Sequence, residues 1–81
     1  MNILEQIIDR YPDEEFLKAD GFDGAIIGVE EKTFRLIYSV NKCIKILMKN
    51  MSREDATEHF EYNTRGAYVG EKTPIWCEDD F

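Results

Sequence analysis

Residues 25–49 read AIIGVEEKTFRLIYSVNKCIKILMK and contain the clearest structural pattern in the chain. The segments 25–30 and 33–38 are rich in β-branched and aromatic residues and are separated by a short polar turn, which predicts a β-hairpin. Ser39 can then cap a helix, because its hydroxyl can accept a backbone N–H that has no partner inside the helix. The apolar residues of this helix fall on one stripe, at Val40, Cys43, Ile44, Leu47 and Met48.

The predicted hairpin has consequences for packing and for assembly. Its second strand places Phe34, Leu36 and Tyr38 on one face. A two-stranded hairpin is only marginally stable alone, so it needs helices on one face or a partner strand along its edge. A second copy of the chain could supply that strand, and we therefore expect a homodimer.

The segments before the hairpin predict a helix and a loop. Residues 1–11 place five apolar side chains on one helical stripe, and Pro12 ends the helix because the residue before proline is pushed away from helical geometry. The stripe consists of Ile3, Leu4, Ile7, Ile8 and Tyr11. Phe16 and Leu17 could form another short turn of helix, and the DGFDG run at 20–24 is typical of a loop.

After the hairpin and its helix, Ser52 is a suitable N-cap for a further helix that runs to about Tyr62 or Arg65 and buries Ala56 and Phe60. Trp76, in the extended C-terminal segment, either packs back on the hairpin or contributes to an interface. Together the patterns predict an α+β fold in a single domain over residues 1–81. The expected order is N-terminal helix, β-hairpin, two helices and extended C-terminal segment.

The charges are segregated along the chain. The net charge is −7, from 17 acids and 10 bases, which argues against non-specific binding to nucleic acid or anionic membranes. Residues 1–31 carry −7 and residues 54–81 carry −6, whereas residues 32–53 carry +6 and no acid. The basic segment therefore either lies beside the acidic flanks, in the fold or in a neighbouring subunit, or forms a face for an anionic ligand or partner.

Two groups of residues are candidates for binding. The first group is basic and could contact an anion or a partner: Arg35, Lys42, Lys45 and Lys49. The second group is aromatic, lies near the glycine loop and could form an interface: Tyr68 and Trp76. No stretch approaches the roughly 20 apolar residues of a membrane span, so we expect no membrane partner.

We expect no catalytic residue, no metal site and no cofactor. The run GAYVGEKT at 66–73 differs from a phosphate-binding P-loop, because an acid precedes its lysine and Pro74 disfavours the helix that must follow. His59 has no second cluster of ligands, and Cys43 falls on an apolar stripe where a thiol is inert. Enzymatic activity is therefore not expected.

Three runs of the sequence carry a resemblance to a family: DGFDGAIIG at 20–28, MSREDA at 51–56 and EYNTRGAYVGEKTPI at 61–75. They resemble small proteins encoded by tailed bacteriophages and prophages, including phages of marine cyanobacteria. The resemblance implies a phage origin and a location in the host bacterial cytoplasm, and it implies no catalytic residue. The leading hypothesis is a non-enzymatic accessory protein that acts through contacts with a host or defence protein or with a second copy. The alternative is a small-anion or nucleotide-binding module that uses residues 32–53.

Overall fold

A computed structural model describes residues 2–66 and 69–80, and in these ranges the chain forms three α-helices and one three-stranded sheet. The elements are α1 (Ile3–Arg10), β1 (Ile26–Val29), β2 (Leu36–Ser39), α2 (Val40–Leu47), α3 (Arg53–Phe60) and β3 (Ile75–Cys77). A 3₁₀ turn, Asp23–Ala25, precedes β1, and a π-helical turn, Glu61–Arg65, continues α3. The predicted α+β fold and its order of elements are confirmed.

The sheet has the order β1-β2-β3. β1 and β2 form the predicted antiparallel hairpin, in which Ile26 pairs with Tyr38. β3 then lies parallel to β2, and Ile37 pairs with Ile75. The C-terminal segment thus packs back on the hairpin and supplies the third strand that the hairpin needs. The sheet therefore no longer gives a reason to expect a second copy, and any dimer must have another basis.

The turn of the hairpin differs from the prediction, because Phe34 lies in the turn and not in the second strand. Its φ angle is +57°, a left-handed conformation that is strained for a bulky residue, and its N–H donates to the Glu30 carbonyl at 2.7 Å. The Thr33 hydroxyl and backbone N–H both donate to the Glu30 carboxylate, and these bonds lower the pKa of Glu30. The Phe34 ring packs edge-on against Tyr11 and lies 5.5 Å from the Lys72 ammonium.

The core lies where α1, α2 and α3 meet the sheet, and its buried apolar residues include Leu4, Ile7, Phe22, Ala25, Ile26, Leu36, Tyr38, Val40, Cys43, Ile44, Ala56 and Phe60. The predicted burial of β2, of the α2 stripe and of α3 is confirmed at most positions. Met48 is an exception, since α2 ends at Leu47 and the Met48 side chain is exposed.

Two predictions for the N-terminal third were wrong. The α1 stripe is narrower than expected, since Ile3 and Ile8 are 40% and 47% exposed. An eight-residue helix at the rim of a small sheet covers the core with only about two turns, so only part of its apolar stripe is buried. Phe16 and Leu17 form no helical turn, and the local helical geometry occurs instead at Asp23–Ala25.

Both predicted N-caps are confirmed. The Ser39 hydroxyl accepts the Lys42 backbone N–H at 3.1 Å, and the Ser52 hydroxyl accepts the Asp55 backbone N–H at 3.2 Å. Ser39 is fully buried and also donates to the Asp79 carboxylate at 2.7 Å. The first turn of α2 contains no acid of its own, so Asp79 brings a negative charge to the positive end of this helix.

Candidate functional site

The solvent side of α2 carries three of the four predicted basic residues. Lys42, Lys45 and Lys49 are all exposed, whereas Val40 and Cys43 on the opposite side of the helix are buried. The spacing i, i+3 and i+7 keeps the three side chains on one side of a helix with 3.6 residues per turn. Lys49 follows the last turn of α2, where its N–H still donates to the Ile46 carbonyl. We call Lys42, Lys45 and Lys49 the lysine face.

Within the described residues, the lysine face forms no ion pair with the acidic flanks of the chain. In residues 2–66 and 69–80, none of its three ammonium groups has a carboxylate oxygen within 4 Å. The ion pairs there involve other bases: Lys18 with Asp23, Arg53 with Asp80, Arg65 with both Glu61 and Glu78, and Lys72 with Glu14. The acidic C-terminal flank nonetheless lies beside the basic segment at other points, where Asp79 accepts from the Ser39 hydroxyl and Asp80 lies 3.9 Å from Arg53.

Arg35 does not belong to the lysine face. Its Nε donates to the Thr73 carbonyl at 2.6 Å, so the half-buried guanidinium joins the start of β2 to the C-terminal segment. The four residues of β2 separate Arg35 from α2, a length of about 13 Å along an extended strand. The structure thus brings three of the four predicted basic residues together and directs the fourth to a structural contact.

Trp76, one of the two predicted interface residues, lies in the aromatic cluster of the core. Its half-buried ring is 5.2 Å from the Tyr38 ring and 5.4 Å from the Phe60 ring, the latter perpendicular to it. Its Nε1–H is buried and has no hydrogen-bond partner among the described residues. A cleft of about 210 Å³ lies beside it and is lined in part by Phe22 and Val69. Tyr68, the other predicted interface residue, lies outside the described residues.

The sequence reasoning missed a shallow, open depression on the outer side of α3 and its π-helical turn. Its lining residues are Arg53, Glu54, Thr57, Glu58, Glu61 and Tyr62, and we call them the acidic groove. These residues carry three carboxylates and one guanidinium, and the guanidinium of Arg53 lies 3.9 Å from the Asp80 carboxylate. Tyr62 is 81% exposed. The signal in the sequence was the i, i+4 and i+7 spacing of Glu54, Glu58 and Glu61, which places them on one side of the helix.

The groups considered for chemistry are held in structural contacts. Burial raises the pKa of the Cys43 thiol to about 12, with a smaller contribution from the Asp79 charge, so the nucleophilic thiolate does not form at neutral pH. The Thr73 hydroxyl donates to the Gly70 carbonyl at 2.6 Å, and Gly70 has a φ of +106°. The P-loop-like run thus ends in a tight turn that uses its threonine internally. Among the described residues, no three side chains of His, Cys, Asp or Glu are grouped to hold a metal ion.

Comparisons with protein-family models, with curated proteins and with solved structures found no match. None of the helices in the described ranges has the length and apolar character needed to cross a bilayer. The candidate site therefore consists of the lysine face and the acidic groove, which lie on α2 and α3, two helices that pack against each other.

Proposed function

We propose that this protein is a non-enzymatic accessory protein of a tailed phage or prophage that acts in the bacterial cytoplasm by binding another protein. The lysine face is the binding surface, and its preferred partner is an acidic protein surface. One observation carries this proposal: three exposed ammonium groups lie on one side of α2 without a carboxylate partner in the described fold, although the chain carries a net charge of −7. Unpaired like charges on one face attract a complementary surface.

An acidic protein surface fits this face better than a small anion does. A small anion is held by donors that converge on it, whereas Lys42, Lys45 and Lys49 project from the convex side of a single helix. Arg35, the fourth base of the anion-binding alternative, is directed to the Thr73 carbonyl. Nucleic acid is disfavoured because no aromatic side chain lies between the lysines of this face, so a base has no ring on which to stack.

A fluorescently labelled polyglutamate peptide tests the proposal, since it presents an acidic protein-like surface of known chemistry. Anisotropy titrations at low salt should show binding that weakens at about 0.15 M salt, where the Debye length is about 8 Å. The Lys42→Gln/Lys45→Gln/Lys49→Gln variant should bind more weakly by about tenfold or more, because it loses three exposed ion pairs that each strengthen binding about two- to fivefold. The Arg10→Gln/Lys18→Gln/Lys32→Gln variant, which removes the same number of exposed positive charges elsewhere, should bind more tightly than the lysine-face variant.

Absence of polyglutamate binding at low salt would overturn the proposal, and so would equal binding by the two variants. Inorganic phosphate and ATP are the probes for the alternative. If either raises the melting temperature of the unmodified protein but not of the triple variant, the anion-binding alternative replaces the proposal.

A further inference from the structure

We infer that a second copy of this chain docks on the lysine face through its acidic groove. This inference rests on the proposed function, because it names a partner for the same surface. The sequence left two places for acids that pair with the basic segment, the same fold or a neighbouring subunit. In the described part of the chain the lysine face has no carboxylate within ion-pair distance, which leaves the neighbouring subunit as the source of acids that fits these observations.

The acidic groove has unpaired charge of the opposite sign. Within the described residues, Glu54 and Glu58 form no ion pair, and Glu61 pairs with the neighbouring Arg65 at 3.0 Å. Arg53, the one base of the groove, is 3.9 Å from Asp80. The groove therefore presents carboxylates to solvent in the same way that the lysine face presents ammonium groups.

The spacing of the two sets matches when the helices run antiparallel. Along α2 the lysines follow each other after three and then four residues, from Lys42 to Lys45 to Lys49. In the reverse direction of the chain, from Glu61 to Glu58 to Glu54, the glutamates also follow each other after three and then four residues. In each set the outer charges are about 10 Å apart along the helix, at 1.5 Å per residue. Antiparallel docking thus forms three pairs between the copies: Lys42 with Glu61, Lys45 with Glu58 and Lys49 with Glu54.

Tyr62 adds an aromatic surface to this contact. Its side chain is 81% exposed on the groove, and exposed tyrosines are enriched where proteins bind one another. The contact is nonetheless weak, since each exposed ion pair strengthens binding by only about two- to fivefold and both copies carry −7. Each contact joins the lysine face of one copy to the acidic groove of another. Two copies that form both such contacts with each other make a closed dimer, whereas copies that form one contact with each neighbour extend head to tail.

Charge reversal of the central pair tests the inference by sedimentation equilibrium over a range of high protein concentrations. The unmodified protein should show species heavier than the 9.5 kDa chain. Lys45→Glu and Glu58→Lys should each weaken this association about tenfold or more, because attraction becomes repulsion. The Lys45→Glu/Glu58→Lys variant should associate again, since each reversed charge then meets its complement in the other copy. Lys32→Glu makes the same charge change at an exposed site outside both surfaces and should leave association unchanged.

The inference is overturned if the unmodified protein sediments only as a 9.5 kDa species, or if the doubly reversed variant does not regain association. Circular dichroism checks that every variant is folded, which is expected because the three substituted positions are exposed. The polyglutamate titration separates the two levels of the argument. A protein that binds polyglutamate through the lysine face but does not self-associate retains the proposed function and refutes the second copy as partner.

Discussion

Removal of the Ser39 hydroxyl tests how strongly the C-terminal segment is fastened to the start of α2. In Ser39→Ala the Lys42 backbone N–H loses its acceptor and the Asp79 carboxylate loses its donor. Loss of an N-cap costs about 1 kcal/mol. A hydrogen bond to a charged group contributes about 1.5 to 3 kcal/mol, and the lower value applies because Asp79 is exposed and water can replace the donor. The expected loss is therefore about 2 to 3 kcal/mol of unfolding free energy.

Urea unfolding followed by circular dichroism measures this loss, and Ser52→Ala is the matched control. Ser52 is exposed, and its hydroxyl caps α3 through the Asp55 N–H without a bond to the tail, so its replacement should cost only about 0.5 to 1 kcal/mol. Asp79→Ala removes only the contact with the Ser39 hydroxyl, so its loss of unfolding free energy should equal the difference between the losses in the two serine variants. If Ser39→Ala and Ser52→Ala are equally destabilising, the Ser39 to Asp79 contact does not hold the tail, and the reasoning fails.

Three further predictions concern packing, reactivity and backbone strain. Phe60→Ala, at a fully buried ring, should lower the unfolding free energy by about 3 to 5 kcal/mol, whereas Tyr62→Ala, at an exposed ring, should change it by less than about 0.5 kcal/mol in the same urea assay. In the folded protein Cys77 should react with iodoacetamide well before Cys43, as peptide mass spectrometry would show, and faster modification of Cys43 would contradict its burial. Burial favours the neutral Cys43 thiol, so its contribution to stability is complete below the ordinary pKa of 9.0 and is lost as the pH rises towards about 12. Phe34→Gly should be more stable than Phe34→Ala by about 1 kcal/mol, because only glycine adopts the left-handed φ without strain; equal melting curves would refute the positive φ.

The sequence predicts the local parts of this fold well. Helix caps depend on a side chain and a backbone N–H only three residues away, so Ser39 and Ser52 could be identified without knowledge of the fold. The stripe of α2 is also local, because its spacing alone places Val40 and Cys43 on the buried side.

The features of the fold that depend on long-range contacts could not be predicted from the sequence. β3 has three residues, too few to show an alternating pattern, and its parallel pairing with β2 joins Ile37 to a residue nearly 40 positions away. Phe34 has the composition of a strand residue, but contacts with Tyr11 and Lys72 hold it in a turn. Such tertiary contacts override β-propensity.

In the candidate site, too, the local features could be predicted from the sequence and the long-range contacts could not. The lysine face follows from helical spacing and is present as a set of exposed residues. Arg35 was grouped with it because of its charge and its position in the acid-free segment, yet a carbonyl 38 residues away determines where its guanidinium lies. The acidic groove was missed because Glu54, Glu58 and Glu61 were counted in the charge of residues 54–81 and were not placed on one side of a helix.

Zero-length cross-linking between two isotopic forms of the chain tests the central claim most directly. A carbodiimide joins an ammonium group to a carboxylate only where the two are in contact, and an equimolar mixture of ¹⁴N and ¹⁵N protein separates cross-links between copies from those within one copy. We predict mixed-isotope peptides that join Lys42, Lys45 or Lys49 to Glu54, Glu58 or Glu61, with Lys45 to Glu58 the most abundant. Mixed-isotope peptides that do not involve the lysine face, or cross-links confined to single copies at the highest concentration, would contradict the account.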